Sequence, residues 1–304
     1  MKTIVVGLGT QGSKRITMLG NDLVGTVDPL NVQADYKKIE DVPVNLYDAV
    51  VVACPDNVKQ QVINYALDNS KHVLCEKPLT LDSLQEFRKL QDFLNTNRLI
   101  MYTAYNHRFD SGIMRLKKEL DLGTIGSVYF ISLYYGNGTA QSIKQSNWRE
   151  NYLNVISDLG SHLFDLLDFF IPRYKCNFEY VSPSTFENVN YDHAILVSDK
   201  QEPKVLIEAT YCSWKNTFRC DIIGELGSIH LDGLTKWGES YYTQRTRVFP
   251  SGLPKEVIEK FPKGDDTWNK EYEHFKNKVE NFEENNLEKD ANMFTLFSRY
   301  KNGR

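Results

Sequence analysis

The chain has 304 residues, enough for two domains, and its 41% hydrophobic and 25% charged residues are a globular composition, far from a disordered one. Lys plus Arg total 36 against 40 Asp plus Glu, a formal net charge of −4, which leaves no electrostatic footprint for a nucleic-acid or membrane-surface partner. No apolar run approaches the roughly 20 residues of a transmembrane helix, and the start, Ile4-Val5-Val6, stops at Gly7, short of a signal-peptide core of about 7–15 residues.

Thr3–Val6 reads as a buried strand, and Gly7-Leu-Gly-Thr-Gln-Gly12 opens a short helix ending near Gly20. Leu23–Val27 is a second strand, closed by Asp28-Pro29, and Ala49–Ala53 a third, followed by Cys54-Pro55 and a helix with Val58, Val62, Ile63, Ala66 and Leu67 on one face. His72–Cys75, a helix over Leu81–Leu94 and Leu99–Thr103 complete a strand–helix alternation that implies a parallel sheet covered on both faces. A helix over Ile113–Leu120 and a long strand, Ser127–Tyr135, begin the second half. The polar segment Gly136–Asn147 is expected to be a loop over the site, and Ser157–Phe170 a helix ended by Pro172. Strand-like runs at Ala194–Val197, Val205–Cys212, Phe218–Ile223 and Ser228–Leu231 suggest a mostly antiparallel sheet, and the tail from Trp268 is helical and charged. Five cysteines, at 54, 75, 176, 212 and 220, are scattered with no CxxC pair, which speaks against a disulfide framework or a zinc site and for a reducing, cytoplasmic setting.

Gly7-x-Gly9-x-x-Gly12 lies between a strand and a helix, as a dinucleotide fingerprint requires. One glycine permits the tight turn, the second admits a pyrophosphate to the helix N-terminus, and the third allows close helix–strand packing. Asp28, 21 residues after Gly7, stands where a carboxylate accepts from the ribose hydroxyls and repels a 2′-phosphate. With Pro29-Leu30 following and no Arg, NAD is favoured over NADP; a plain Gly-rich turn is the competing reading. Glu76-Lys77-Pro78 follows a strand of the same sheet, so Lys77 either reaches the nicotinamide end or is a solvated surface charge. In Asp158-Leu-Gly-Ser-His162-Leu-Phe-Asp165, α-helical winding puts Asp158, His162 and Asp165 within about 60° of one another. Such a stripe can orient a general-base imidazole or ligate a metal, or it is a capping Asp beside a structural His. No third metal ligand is evident, and no metal is expected.

The ordered set Gly7–Gly12, Cys54-Pro55, Glu76-Lys77-Pro78, Tyr105-Asn106-His-Arg108-Phe109, Gly123-Thr-Ile-Gly126, Asp158–Asp165 and Gly224-Glu-Leu-Gly227-Ser resembles the Gfo/Idh/MocA oxidoreductases from the first strand to about residue 231. The resemblance implies an α/β chain with an N-terminal Rossmann NAD-binding domain over 1–106. A C-terminal α/β domain with a large, mostly antiparallel open sheet then spans 107–304. It implies catalytic roles for Lys77, Asp158 and His162, and cofactor contacts at Gly7, Gly9, Thr10, Gln11, Gly12, Asp28, Cys54, Pro55, Asn57, Glu76, Lys77 and Asn106. Arg108 and Asn106 are expected to shape the edges of the pocket. Many relatives carry a Gly-rich turn just before the Asp158 motif, where this chain has Leu153-Asn-Val-Ile-Ser157. The expected activity is NAD(P)-dependent hydride transfer at a secondary alcohol of a sugar, cyclitol or sugar nucleotide. The expected assembly is a homodimer or homotetramer through the open sheet. A non-catalytic NAD-binding redox sensor of the same fold is the alternative.

Overall fold

The computed structural model describes residues 1–145, 154–172, 174 and 176–300. Two compact units make up the chain: Met1–Asn106 with Trp268–Thr295, and His107–Thr267 with the residues from Leu296 on. The expectation of one continuous second domain over 107–304 is therefore corrected, since most of the C-terminal tail folds with the first unit.

In the first unit, β1 (Thr3–Val6), β2 (Leu23–Val27), β3 (Ala49–Val52), β4 (His72–Glu76) and β5 (Met101–Ala104) form a parallel sheet in the order β2-β1-β3-β4-β5. The strands read as continuous apolar runs because both faces are buried. Ile4, Val6, Val50, Val52, Val73 and Cys75 face Ile63, Ala66 and Leu67 of α2 (Asp56–Asp68) and Phe87 and Leu94 of α3 (Leu84–Thr96). The alternate residues Val5, Val51 and Leu74 pack with Leu19 of α1 (Thr10–Leu19) and with Tyr272 and Phe275 of the helix Thr267–Asn281. Helix α3 starts later than its apolar pattern suggests because the Ser83 side chain caps it, accepting from the Glu86 N–H.

The second unit carries an eight-stranded sheet in the order β13-β12-β11-β10-β6-β9-β8-β7. Its strands are β6 (Val128–Gly136), β7 (Phe178–Ser184), β8 (His193–Ser198), β9 (Lys204–Thr210), β10 (Thr217–Gly224), β11 (Gly227–Asp232), β12 (Ser240–Thr246) and β13 (Lys255–Phe261). All neighbours are antiparallel except β6 and β9. Ile131, Leu133, Ile207, Ala209, Cys220, Ile222, Ile229 and Leu231 are buried, while Ser132, Asp221 and His230 point to the other face. That alternation is what a sheet covered on one side produces. Helix α4 (Ser111–Asp121) packs on β11 and β12. Strand β13 escaped the sequence pattern because it is largely exposed on both faces, leaving no two-residue hydrophobic period.

Candidate functional site

The parallel sheet reverses its strand order between β2-β1 and β3, and the loops after β1 and β3 meet there. Gly7 has φ +95°, and a Cβ on it would stand 2.7 Å from the Ala53 carbonyl and the Cys54 nitrogen. A Cβ on Gly12 would fall 1.8 Å from the Gly7 oxygen, so no side chain fits at either position. At Gly9, the N-cap of α1, nothing lies within 4 Å of where a Cβ would be. Two glycines thus close the turn and the third opens it outward. Helix geometry leaves the first N–H groups of α1, those around Thr10 and Gln11, without intrahelical acceptors, and no acidic residue occupies its first turn. Donors without competing carboxylates, on an open face, fit the pyrophosphate of a dinucleotide.

Asp28 ends β2 beside this cradle. Its Oδ2 accepts from the Leu8 N–H, and its Oδ1 from the N–H groups of Leu30 and Asn31, each at 2.8 Å. Burial pushes this carboxyl up, but the three backbone donors and nearby Lys37 outweigh it and hold it below the usual carboxylate range. Asp28 is therefore a fixed negative charge at neutral pH, aimed by the backbone it binds.

The Lys77 loop is built from its neighbours. Glu76 at the end of β4 turns its carboxylate to Arg15, whose Nε and Nη2 lie 2.7 and 2.6 Å from Oε1. Arg15, fully buried, also donates to Glu271 at 2.6 Å and lies over the Trp268 ring. Oε1 of the Glu76 carboxylate, a residue expected among the cofactor contacts, is thus held by Arg15. Buried Lys59 of α2 donates to the carbonyls of Glu76 and Pro78, at 3.0 and 3.1 Å, and to Asp56 at 2.5 Å. An ammonium has three donors, and all three are used. The peptides on either side of half-buried Lys77 are pinned by one cation. Pro55 caps α2 and Asn57 is exposed in its first turn, while Asn106 is buried just after β5. Burial pushes the Cys54 thiol up to about 11 and that of Cys75 up to about 12, although Lys59 pulls the other way.

In the second unit, Asp158 lies in a π-helical turn, Ile156–Gly160, that leads into α6 (Ser161–Phe170). Asn154 caps the turn, its Oδ1 accepting from the N–H groups of Ile156 and Ser157. The wider winding corrects the expected α-helical arc of Asp158, His162 and Asp165. Asp158 accepts from the Tyr211 hydroxyl at 3.2 Å. His162, 9% exposed, stacks on His107 with ring centroids 4.0 Å apart and planes at 14°. Tyr135 meets both imidazoles, and Trp237 packs on Tyr135 and on His107. Asp165 belongs instead to a bidentate pair with Arg108, at 2.6 and 2.7 Å. Arg108, expected at a pocket edge, also lies 3.5 Å from Asp168 and over the Phe169 ring.

Part of the expected polar loop Gly136–Asn147 takes regular structure: Gly136 ends β6, and Ala140–Lys144 forms the short helix α5. Ser146, Asn147 and Leu153 fall outside the described residues. Sequence reasoning passed over Arg15, Lys59, His107, Tyr135, Tyr211, Lys236 and Trp237. His107 sits inside the quoted motif Tyr105–Phe109, a signal that was available; Lys59 and Lys236 carry none, because a lone Lys is ordinarily a surface residue. Among the described residues no three His, Cys, Asp or Glu side chains are grouped to hold a metal ion, and no helix is long and apolar enough to cross a membrane.

Comparison with known proteins places this geometry. An uncharacterized oxidoreductase of Schizosaccharomyces pombe is 31% identical over 121 residues, covering 39% of this chain and 32% of that protein. Inositol 2-dehydrogenase 1 of Saccharopolyspora erythraea is 24% identical over 244 residues, covering 76% of this chain and 66% of the relative. The chain therefore spans about a third of the first relative and about two thirds of the second. The solved structure of a UDP-N-acetylglucosamine 3-dehydrogenase from Acidithiobacillus ferrooxidans superposes with a TM-score of 0.79 at 17% identity, over 99% of this chain and 96% of that one, and attests the fold. Residues 1–105 match the family model described as "Oxidoreductase family, NAD-binding Rossmann fold", and residues 113–230 match the C-terminal domain of the same family. The chain belongs to the GFO/IDH/MocA oxidoreductase family.

Proposed function

We propose that this protein is an NAD-dependent oxidoreductase that interconverts a secondary alcohol and a ketone on a sugar, cyclitol or sugar nucleotide. The observation that carries the reading is the glycine cradle beside Asp28, whose open face at Gly9 and helix N-terminus suit a pyrophosphate. A bound nicotinamide supplies the hydride acceptor, or the donor in the reverse direction. Thr10 and Gln11 present backbone donors to the phosphates, and the Asp28 carboxylate accepts from the ribose hydroxyls while opposing a 2′-phosphate. That opposition is the ground for NAD over NADP. Cys54, Pro55, Asn57, Glu76, Lys77 and Asn106 are assigned to the rest of the cofactor site.

His162 is assigned the hydroxyl proton. As the neutral imidazole it accepts that proton during oxidation and returns it during reduction, a role that typically contributes about 10²–10⁴-fold. Lys77 hydrogen-bonds the reacting oxygen, and Asp158, steadied by Tyr211, orients the substrate or the imidazole. Likeness to an inositol dehydrogenase and a UDP-N-acetylglucosamine dehydrogenase supports the substrate class. Assembly as a homodimer or homotetramer through the outer face of the eight-stranded sheet, in the cytoplasm, completes the proposal.

The test is NADH formation across a panel of cyclitols, sugars, sugar phosphates and sugar nucleotides, with His162→Ala beside the wild type. Turnover on a panel member that falls at least about 100-fold in His162→Ala, with NAD affinity kept, is the expected result. Tight NAD binding with no turnover across the panel would replace the enzyme with a cofactor sensor.

A further inference from the structure

Beneath His162 lies a stack that the proton-transfer role of that residue does not by itself require. We propose that His107, held by Lys236, is a positioning residue that keeps His162 as the neutral, proton-accepting imidazole; this rests on the assignment of His162 as the base.

Four observations in the second unit lead there. The His107 and His162 rings lie parallel, 4.0 Å apart at 14°. The Lys236 ammonium hydrogen-bonds His107 Nε2, on a side chain that is itself 1% exposed. Lys236 also sits 4.6 Å from the centre of the Trp237 ring, an arrangement that favours the charged lysine. Finally, Lys236 is not a loose surface side chain. The residue before it, Thr235, donates both its N–H and its hydroxyl to buried Asp110, at 2.8 and 2.7 Å, and Asp110 also caps α4.

An ammonium only donates, so His107 Nε2 must offer a lone pair, and His107 is then the neutral ring with its proton on Nδ1. Stacked on that ring, with the Lys236 charge behind it, a second positive charge on His162 is disfavoured. Three other titratable groups near the pair have partners or environments of their own. Burial, and then Asp158, push the Tyr135 hydroxyl well above its ordinary value, so it stays protonated and uncharged. Asp165, three residues along from His162, has its charge matched by Arg108. Asp158, four residues before His162, carries the opposite charge to Lys236, and its Oδ2 accepts from the Tyr211 hydroxyl. Tyr135 meets His162 edge-on and lies tilted against Trp237.

The experiment follows the ring resonances of His162 by NMR against pH in the full chain, with neither cofactor nor substrate, in wild type, Lys236→Met and Lys236→Arg. His162→Gln identifies the resonance. Removing the charge raises the His162 titration midpoint by about one pH unit, while Lys236→Arg keeps it near the wild-type position. In the active enzyme the acidic limb of kcat/KM moves to higher pH by the same amount in Lys236→Met. If Lys236→Met does not fold, Lys236→Gln keeps a donor without the charge and gives the same reading. A His162 midpoint that stays put or falls when the charge is removed overturns the proposal. The NMR titration needs no turnover, so a protein without dehydrogenase activity would refute the functional assignment and still leave this question answered.

Discussion

Lys59 offers the sharpest test of how the Lys77 loop is held. Replacing it with Met keeps an unbranched side chain in the same buried space and removes three donated bonds. The Asp56 carboxylate, 42% exposed, returns to water at little cost. The two carbonyls do not: the bond to Pro78 is buried and that to Glu76 partly so. A buried acceptor left without its donor costs about 1–3 kcal/mol. One full penalty and part of a second, less the desolvation no longer spent on a buried ammonium, give a net loss of about 2–3 kcal/mol. Urea unfolding followed by circular dichroism reads this as a lower midpoint at unchanged slope.

The functional consequence is separable from the loss of stability. Both released carbonyls flank Lys77, so the loop loses its register while the Gly7–Gly12 cradle, on other elements, does not. Turnover on the substrate of the wild type should fall about 10–100-fold, the scale on which small misplacements act. NADH affinity, read by fluorescence, should fall by less than turnover does, because Lys77 is one of several residues assigned to the cofactor. Lys59→Gln, with a shorter donor, should recover part of the stability. Stability within about 0.5 kcal/mol of wild type, together with unchanged turnover, would show that the ammonium does not hold the loop.

Two further outcomes follow from charge and burial. Asp28→Asn should weaken NAD by about tenfold and narrow the gap to NADP, because a charged acceptor becomes a neutral one and exposed Lys37 remains nearby; fluorescence titration of both cofactors checks this. Asp28 is held below its unfolded value of about 3.9, so its contribution is complete above that pH and lost only as pH falls through the lower folded value. NAD affinity should accordingly be flat from about pH 5 upward, and an Asp28-dependent fall near neutrality would contradict the assignment. Cys54, with its thiol raised to about 11, should react with iodoacetamide at pH 7.5 on the order of 100-fold more slowly than a free thiol, and mass spectrometry of the labelled peptide measures the ratio.

What the sequence made legible was local. The Gly7–Gly12 turn needs only its own glycines and the strand before it, and Asp28 only its distance from them. The buried strands announced themselves as Val50-Val51-Val52 and Val73-Leu74-Cys75 because they are covered on both faces. The chemistry of the second unit was less readable for a specific reason. Spacing arguments assume one winding, and the π turn at Ile156–Gly160 breaks it between Asp158 and His162. Asp165 looked like a third member of a polar stripe when its partner was Arg108, 57 residues away in the chain. Lys59 and Lys236 act through atoms that only the folded chain assembles, two carbonyls in one case and one imidazole in the other.

The tail is a different matter, because the information that would have placed it was present. Trp268, Tyr272, Phe275 and Val279 recur at helical spacing, which states that one face of the helix is buried without saying where. The sheet supplies the rest. Right-handed crossovers put α1 on one side of the parallel sheet, and the reversal of strand order at β1 puts α2 and α3 on the other. Val5, Val51 and Leu74 therefore face the side with a single helix, yet their runs are as apolar as those facing two. A parallel strand so apolar on both faces requires cover on both. The first 106 residues hold no second helix for that side, since only a 3₁₀ turn, Ile39–Asp41, interrupts the segment between β2 and β3. The missing layer had to come from elsewhere in the chain. Tyr272 and Phe275 fill it, and buried Glu271 on the same helix joins Arg15, which holds Glu76 at the edge of the Lys77 loop. The demand of one sheet face for cover thus ties the last part of the chain to the loop assigned to catalysis.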